Sequence, residues 1–254
     1  MLTELLPVDV FAIFLVFVRL AAAIMLLPGI GESYVSPRIR LSLAIVLTLT
    51  VAPAVIGTLP PLPALPVQLL LLILGEMAVG LLIGAAARMT MTALHVAGTV
   101  IAFQSGLGFA LMVDPTQGTQ GALIAAFLNI LGLVLIFATG LHYMALRALF
   151  DSYVLFTPGQ LPPVGDFAAL AIKFVSGSFL VGVQLSAPFI VFGLMFYIGL
   201  GIVARLLPQI QVFFIAMPLQ IFASLALFAI VLPPTMLWFL DHFEVRFSEL
   251  LADR

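Results

Sequence analysis

The 254-residue chain contains no cysteine and very little charge. Without cysteine there is no disulfide framework, no thiolate metal site and no cysteine nucleophile. Charged residues make up 8% of the sequence, against about 25% in an average soluble domain, whereas 64% of the residues are hydrophobic. The composition therefore excludes an ordinary soluble domain and indicates an integral membrane protein.

Motifs for catalysis, metal binding and nucleic-acid binding are also missing. The formal net charge of −2 provides no basic surface for nucleic acid or anionic lipid. The histidines His95, His142 and His242 lie far apart, without a carboxylate at metal-ligand spacing. Gly106 and Gly108 lack the lysine and the third glycine of phosphate-binding loops. We therefore expect no enzyme, no cofactor and no metal.

Hydrophobic runs long enough to cross the roughly 30 Å core of a bilayer predict the helices. The N-terminus is acidic and lacks a signal-peptide pattern, so the first run is expected to be retained. Runs 67–97 and 167–207 would extend about 46 and 60 Å, more than one crossing requires. In the first of these, Gly80 and Gly84 predict close approach of another helix. The predicted runs are 10–27, 41–56, 67–97, 122–150, 167–207 and 210–232, the last ending at Pro233 and Pro234.

Charged residues recur inside these apolar runs. A charge at membrane depth is costly and needs a partner or water. Glu76 and Arg88 lie twelve positions apart and cannot pair within one helix. We predict that such residues make buried inter-subunit polar contacts, namely Arg19, Glu76, Arg88, Arg147, Lys173 and Arg205.

Proline-rich segments divide the chain. Residues 57–66, GTLPPLPALP, are predicted to form an extended polyproline II linker. A second Pro/Gly-rich linker at 157–166 favours two parts, residues 1–157 and residues 158–254. The second part is predicted to be a helical hairpin with an amphipathic C-terminal tail. The fold class is all-α: a polytopic membrane protein of long, kinked helical hairpins.

The segment 98–118, GTVIAFQSGLGFALMVDPTQG, interrupts the helices near the middle of the chain. Its glycines weaken a helix, and Asp114 and Pro115 fit the start of a new one. Non-helical backbone at membrane depth is tolerated only when it is buried in protein or lines a cavity. The segment is therefore either a packed re-entrant turn or a gate, a filter or a site.

Two functions fit such a broken apolar helix. One is a pore closed by an apolar plug. The alternative is a secondary transporter or channel in which residues 104–114 form a broken-helix site for a solute or an ion. The sequence contains no inverted repeat, and the segment has a single carboxylate, which disfavours the transporter.

The chain resembles the FliR family of flagellar export-gate proteins, whose injectisome counterparts are the SpaR, YscT and EscT proteins. The resemblance covers nearly the whole chain and depends on the order and spacing of individually weak matches. The matches are Arg19, Pro28, Pro37, Arg38, Ile39, Arg40, Glu76, Gly80, Gly84, Gly98, Gln104, Gly106, Asp114, Pro115, Gly140, His142, Ser152, Pro158, Arg205, Pro208, Gln209, Phe213 and Pro218. The central GLGF and DP pieces are the most specific.

The resemblance implies a non-enzymatic subunit of the type III export gate, multi-pass in the bacterial inner membrane at the flagellar basal body. A single copy would join several FliP and FliQ subunits in a pore for unfolded flagellar subunits. The N-terminal part would be FliP-like and the C-terminal hairpin FliQ-like, with FlhB and FlhA as neighbours. The subunit would contact membrane lipid. Much of the complex would nevertheless lie above the membrane plane, toward the periplasm. We favour the flagellar system over the injectisome.

The resemblance also implies that segment 98–118 is a plug that projects into the channel and helps to close it. The plug and gate residues would be Phe103, Gln104, Gly106, Leu107, Gly108, Phe109, Leu111, Met112, Val113, Asp114 and Pro115.

Overall fold

The computed structural model describes residues 2–107, 120–159, 164–207, 209 and 211–252. Within these ranges all regular structure is helical and no strand occurs, which confirms the predicted all-α class. A short 3₁₀ turn at Ile56–Thr58 follows the second helix. The α-helices are α1 (Leu2–Ile24), α2 (Pro37–Val55), α3 (Pro66–Gln104), α4 (Gln120–Ala138), α5 (His142–Leu155), α6 (Val164–Leu206) and α7 (Val212–Ala252).

The helices confirm a multi-pass membrane protein. In the described ranges, four helices are long and apolar enough to cross a membrane, or up to five spans if α4 and α5 count as one broken span. The helices α3, α6 and α7 contain 39, 43 and 41 residues. At 1.5 Å per residue each is about 60 Å long, twice the hydrocarbon core. The predicted excess length is therefore present.

Two glycines act differently from the sequence prediction. The helix α3 was predicted to end at Ala97 but continues to Gln104. Gly98 faces the backbone of Ala125 in α4, where a Cβ atom would collide, so this glycine permits close helix packing instead of ending the helix. The predicted single run 122–150 is divided at Gly140, whose φ of 78° is the left-handed conformation typical of helix C-termini.

The helix α7 continues through Pro233 and Pro234, where the sequence predicted its end. A proline inside a helix costs about 3 kcal/mol. The predicted amphipathic tail offsets that cost, because each fully buried large apolar side chain contributes about 1.5–3 kcal/mol. Its buried apolar residues are Met236, Phe239, Leu240, Phe243 and Phe247.

Contacts divide the chain into two compact units. The first comprises Met1–Thr90, Thr139–Val175 and Glu244–Arg254, and the second comprises Met91–Ala138 and Ser176–Phe243. The division into residues 1–157 and 158–254 follows chain order and stays a prediction. The first unit has a core of Val16, Leu20, Ala23, Ala52, Val55, Val79, Ile83, Leu149 and Tyr153. The most buried apolar residues of the second unit include Leu94, Ala97, Ile101, Leu128, Phe189 and Phe239.

Candidate functional site

In the first unit, α1 and α3 touch at the two glycines that the sequence singled out. Gly80 faces the carbonyl oxygen of Arg19, and a Cβ atom there would overlap it. A Cβ atom on Gly84 would lie 2.6 Å from the carbonyl oxygen of Ala23. The predicted close helix approach is confirmed, and it brings the buried charges of the two helices together.

Arg19 is buried, and all three nitrogens of its guanidinium group donate hydrogen bonds. Its Nε donates to Oε2 of Glu76 at 2.6 Å. One terminal nitrogen, Nη1, donates to the carbonyl oxygen of Ser152 at 3.0 Å and to its Oγ at 3.3 Å. The other, Nη2, donates to the carbonyl oxygen of Phe156 at 3.1 Å. These residues, with Tyr153, are called the Arg19 cluster below.

Tyr153 completes the Arg19 cluster. Its ring centroid lies 4.2 Å from Cζ of Arg19, a cation–π geometry. Its hydroxyl donates to the carbonyl oxygen of Val16 at 3.5 Å. The carbonyl group of Ser152 also accepts the backbone N–H of Phe156, the residue that follows α5, and the carbonyl groups at such a helix end lack N–H partners further along the helix. The cluster therefore fastens the end of α5 to α1 and α3 through one buried cation.

The six charged residues predicted to contact other subunits fall into two groups. Arg19 and Glu76 have side chains only 1% and 3% exposed, and their contacts are made within the chain. The other four are exposed, and Arg205 lies in the last turn of α6, where a cation is favourable for the helix dipole. Contacts of these residues with other subunits stay a prediction. The ion pairs of the exposed group join Arg88 to Glu32 (3.8 Å), Arg147 to Asp151 (3.5 Å) and Lys173 to Glu249 (3.3 Å).

A second polar arrangement lies in the second unit, at the end of α3. Gln220 of α7 is 3% exposed. Its Nε2 donates to the carbonyl oxygen of Gln104 at 2.9 Å and to the hydroxyl of Tyr197 at 3.2 Å. Gln104 is the last residue of α3, so its carbonyl is one of the four that the helix leaves unsatisfied. A side chain of α7 thus caps α3.

Two glycines make room for this cap. Gly193 of α6 lies directly against the side chain of Gln104, and a Cβ atom at position 193 would overlap the Gln104 amide. Gly106 has a φ of 78°, and a Cβ atom there would lie 3.3 Å from Cδ of Gln220. We call Gln104, Gly193, Tyr197 and Gln220 the anchor cluster.

Sequence reasoning identified Gln104 and Gly106 but missed Gly193, Tyr197 and Gln220. The available signal was Gln220 itself, a polar residue within an otherwise apolar helix, because such side chains hydrogen-bond across membrane helices. Its partners could not be predicted, since 116 positions separate it from Gln104.

The structure describes only the beginning of the predicted plug. Phe103 and Gln104 form the end of α3, with Phe103 exposed, and Gly106 and Leu107 follow, both half-buried. The other predicted plug residues, Gly108, Phe109, Leu111, Met112, Val113, Asp114 and Pro115, lie outside the described residues. In the part of the chain that the structure covers, no group of three or more His, Asp or Glu side chains could hold a metal ion.

Comparisons with known proteins identify the family. Residues 10–245 match the model of the bacterial export proteins, family 1. The chain is 40% identical to the flagellar biosynthetic protein FliR of Caulobacter vibrioides, over 96% of this chain and 95% of that protein. The chain belongs to the FliR family. Among other relatives, it is 32% identical to FliR of Bacillus subtilis, over 85% of each chain. It is 28% identical to the surface presentation of antigens protein SpaR of Salmonella typhimurium, over 87% of this chain and 84% of that one.

Membership in the FliR family confirms the resemblance found in the sequence. It makes the chain a multi-pass membrane component of a bacterial type III export apparatus. The family consists of structural components of that apparatus and not of enzymes. In the described residues, the Arg19 cluster joins α1, α3 and α5, and the anchor cluster joins the end of α3 to α6 and α7.

Proposed function

We propose that the chain is a structural and gating subunit of the flagellar type III export gate in the bacterial inner membrane. One copy forms a pore with FliP and FliQ subunits, through which unfolded flagellar subunits pass, and FlhB and FlhA are its neighbours. The higher identity to a flagellar relative, 40% against 28% for SpaR, favours the flagellar system. Membership in an export family favours this function over a solute transporter.

The central segment is proposed to be the plug of this pore. The observation that carries the proposal is the hydrogen bond from Gln220 to the last carbonyl of α3. It fixes the point at which the chain leaves the helix, and Gly106 then turns the backbone through a left-handed conformation. A segment that closes a pore needs such a fixed origin, because a loose origin would leave the constriction undefined.

The surface supports an assembled subunit covered by lipid and by other protein. Large apolar side chains such as Phe222, Ile230 and Leu206 are more than 70% exposed in the isolated chain. Arg147, which pairs with Asp151, and Arg205 are exposed on helices with such surfaces, where a charge is stabilised by further polar partners. We propose that these two, with Arg88 and Lys173, contact neighbouring subunits. In this assembly, residues 1–157 are FliP-like, residues 158–254 are FliQ-like, and much of the complex is raised toward the periplasm.

The plug is tested by deleting residues 106–113 from the full chain, produced together with FliP and FliQ. We expect cells with the deletion to become leaky to small ions, because an apolar constriction excludes water and ions. The leak is measured as potassium efflux and normalised to the amount of complex that co-purifies.

Two variants make the result specific. Replacing residues 106–113 by eight Gly and Ser residues keeps the chain length but removes the apolar side chains, and it is also expected to leak. Leu62→Ser replaces one exposed apolar residue outside the segment by a polar one. The complex with this variant is expected to show no potassium leak. An assembled complex that stays as tight as the wild type after the deletion would overturn the plug assignment.

A further inference from the structure

We infer that Gln220 is the positioning residue of the gate: it holds the plug root, residues 104–107, in a fixed place when the pore is closed. The inference rests on the proposed function of the central segment as a plug. It assigns to α6 and α7 a role beyond packing, because they carry the side chains that hold the segment leaving α3.

The hydrogen bonds of Gln220 support a positioning role. A primary amide buried without partners is unfavourable, and Gln220 is almost completely buried in an apolar environment. Both amide hydrogens are used, one on the Gln104 carbonyl and one on the Tyr197 hydroxyl. The second bond holds the amide in the orientation that the first requires.

The surrounding residues restrict the plug root further. Gly193 admits the Gln104 side chain against α6, and Gly106 brings the turning backbone against the Gln220 amide. The ring of Tyr197 is itself packed edge-on against Phe196, with centroids 6.1 Å apart. The plug root is therefore held from α6 and α7 at once. Export should therefore leave the plug root in place.

The first test is Gln220→Leu in the full chain, co-produced with FliP and FliQ. Leucine has a similar size but cannot donate, so the root loses its cap. Both hydrogen bonds of Gln220 stabilise the held plug root. Losing them should lower the ratio of held to released plug roots roughly five- to thirty-fold. We expect the potassium leak per co-purified complex to rise by a factor in that range. Tyr197→Phe keeps the ring and the Gln104 bond, and is expected to leak much less.

The second test restores the root by a covalent bond. A Cβ atom on Gly193 would lie 3.5 Å from Cβ of Gln104, within the range that a disulfide requires. The pair Gln104→Cys and Gly193→Cys keeps the backbone carbonyl that Gln220 caps, and the chain contains no other cysteine. In the Gln220→Leu background, oxidation of the cysteine pair should lower the leak to the wild-type level. Reduction of the disulfide by dithiothreitol should restore the leak. With Gln220 present, the oxidised pair should leave export unchanged.

Three results would overturn the inference. The first is a Gln220→Leu complex that leaks no more potassium than the wild type. The second is a potassium leak that persists after the disulfide has formed. The third is a block of export by the disulfide when Gln220 is present. If Gln220→Leu lowers the amount of complex, Gln220→Asn repeats the comparison, because it keeps the amide but withdraws it by one methylene. Failure of the plug proposal would be seen separately, as a tight complex after deletion of residues 106–113.

Discussion

Nε of Arg19 lies 2.6 Å from Oε2 of Glu76, although 57 positions separate the two residues in the chain. Both side chains are buried, and Gly80, one helical turn from Glu76, lets the backbones of α1 and α3 approach closely enough for the bond. Each of these two charges therefore has the partner that the sequence analysis required, and that partner lies in the same chain.

Removing one member of this pair should be far worse than removing both. Arg19→Met or Glu76→Leu alone leaves a buried charge without its counterion, which costs about 3–5 kcal/mol. The double variant should lose much less than the sum of the two single losses, because an apolar pair of similar volume needs no counterion. Thermal unfolding of the purified chain in detergent measures the three variants. Strictly additive losses would contradict the coupling inferred from the structure.

Glu76→Ala and Arg88→Ala should disturb assembly in different ways. Glu76→Ala should destabilise the isolated chain, because it leaves Arg19 without its counterion. Arg88 pairs with Glu32 at 3.8 Å and is half-exposed, and such pairs contribute about 0–1 kcal/mol. Arg88→Ala should therefore leave the isolated chain stable but reduce its co-purification with FliP and FliQ. Normal co-purification of a stable Arg88→Ala chain would contradict the proposed subunit contact at this residue.

Gly80→Ala should destabilise the chain, although alanine normally favours a helix. The new methyl group would meet the carbonyl oxygen of Arg19, and overpacking of this kind costs about 1–3 kcal/mol. Gly199→Ala in α6 is the matched control, because nothing lies within 4 Å of the added atom. There the helix propensity of alanine should stabilise the isolated chain by up to about 1 kcal/mol. Equal effects of the two substitutions on the unfolding temperature would show that the close contact between Gly80 and Arg19 does not affect stability.

Hydrophobic patterning predicted the helices well, because uninterrupted apolar runs leave few alternatives to a helix in a membrane. Gly98 and the pair Pro233–Pro234 were misjudged as helix ends, since their local preferences are outweighed by packing that the sequence does not show. At Gly98 the overriding contact is the backbone of Ala125, and after Pro234 it is the buried apolar face of α7.

The candidate sites were predicted in part. The charges Arg19 and Glu76 were recognisable because an ionised group in an apolar run needs a partner. That they are each other's partner depends on the arrangement of α1 and α3, which neither spacing nor composition specifies. Gln220 was missed for a related reason. A neutral amide perturbs an apolar run little, and its importance depends on the unsatisfied carbonyl of Gln104, which exists only because α3 ends there.

The Arg19 cluster also has a consequence for biosynthesis. Its acceptors come from positions 76, 152 and 156, so the guanidinium has its full set of partners only after more than half of the chain has been made. Until then the first helix carries a charge that the membrane interior disfavours by about 2.5–3.5 kcal/mol or more. Newly made α1 should therefore remain near water or a chaperoning protein while α3 and α5 are synthesised. The N-terminal helix would be the first to emerge from the ribosome but would take its final place only after the end of α5 has been made.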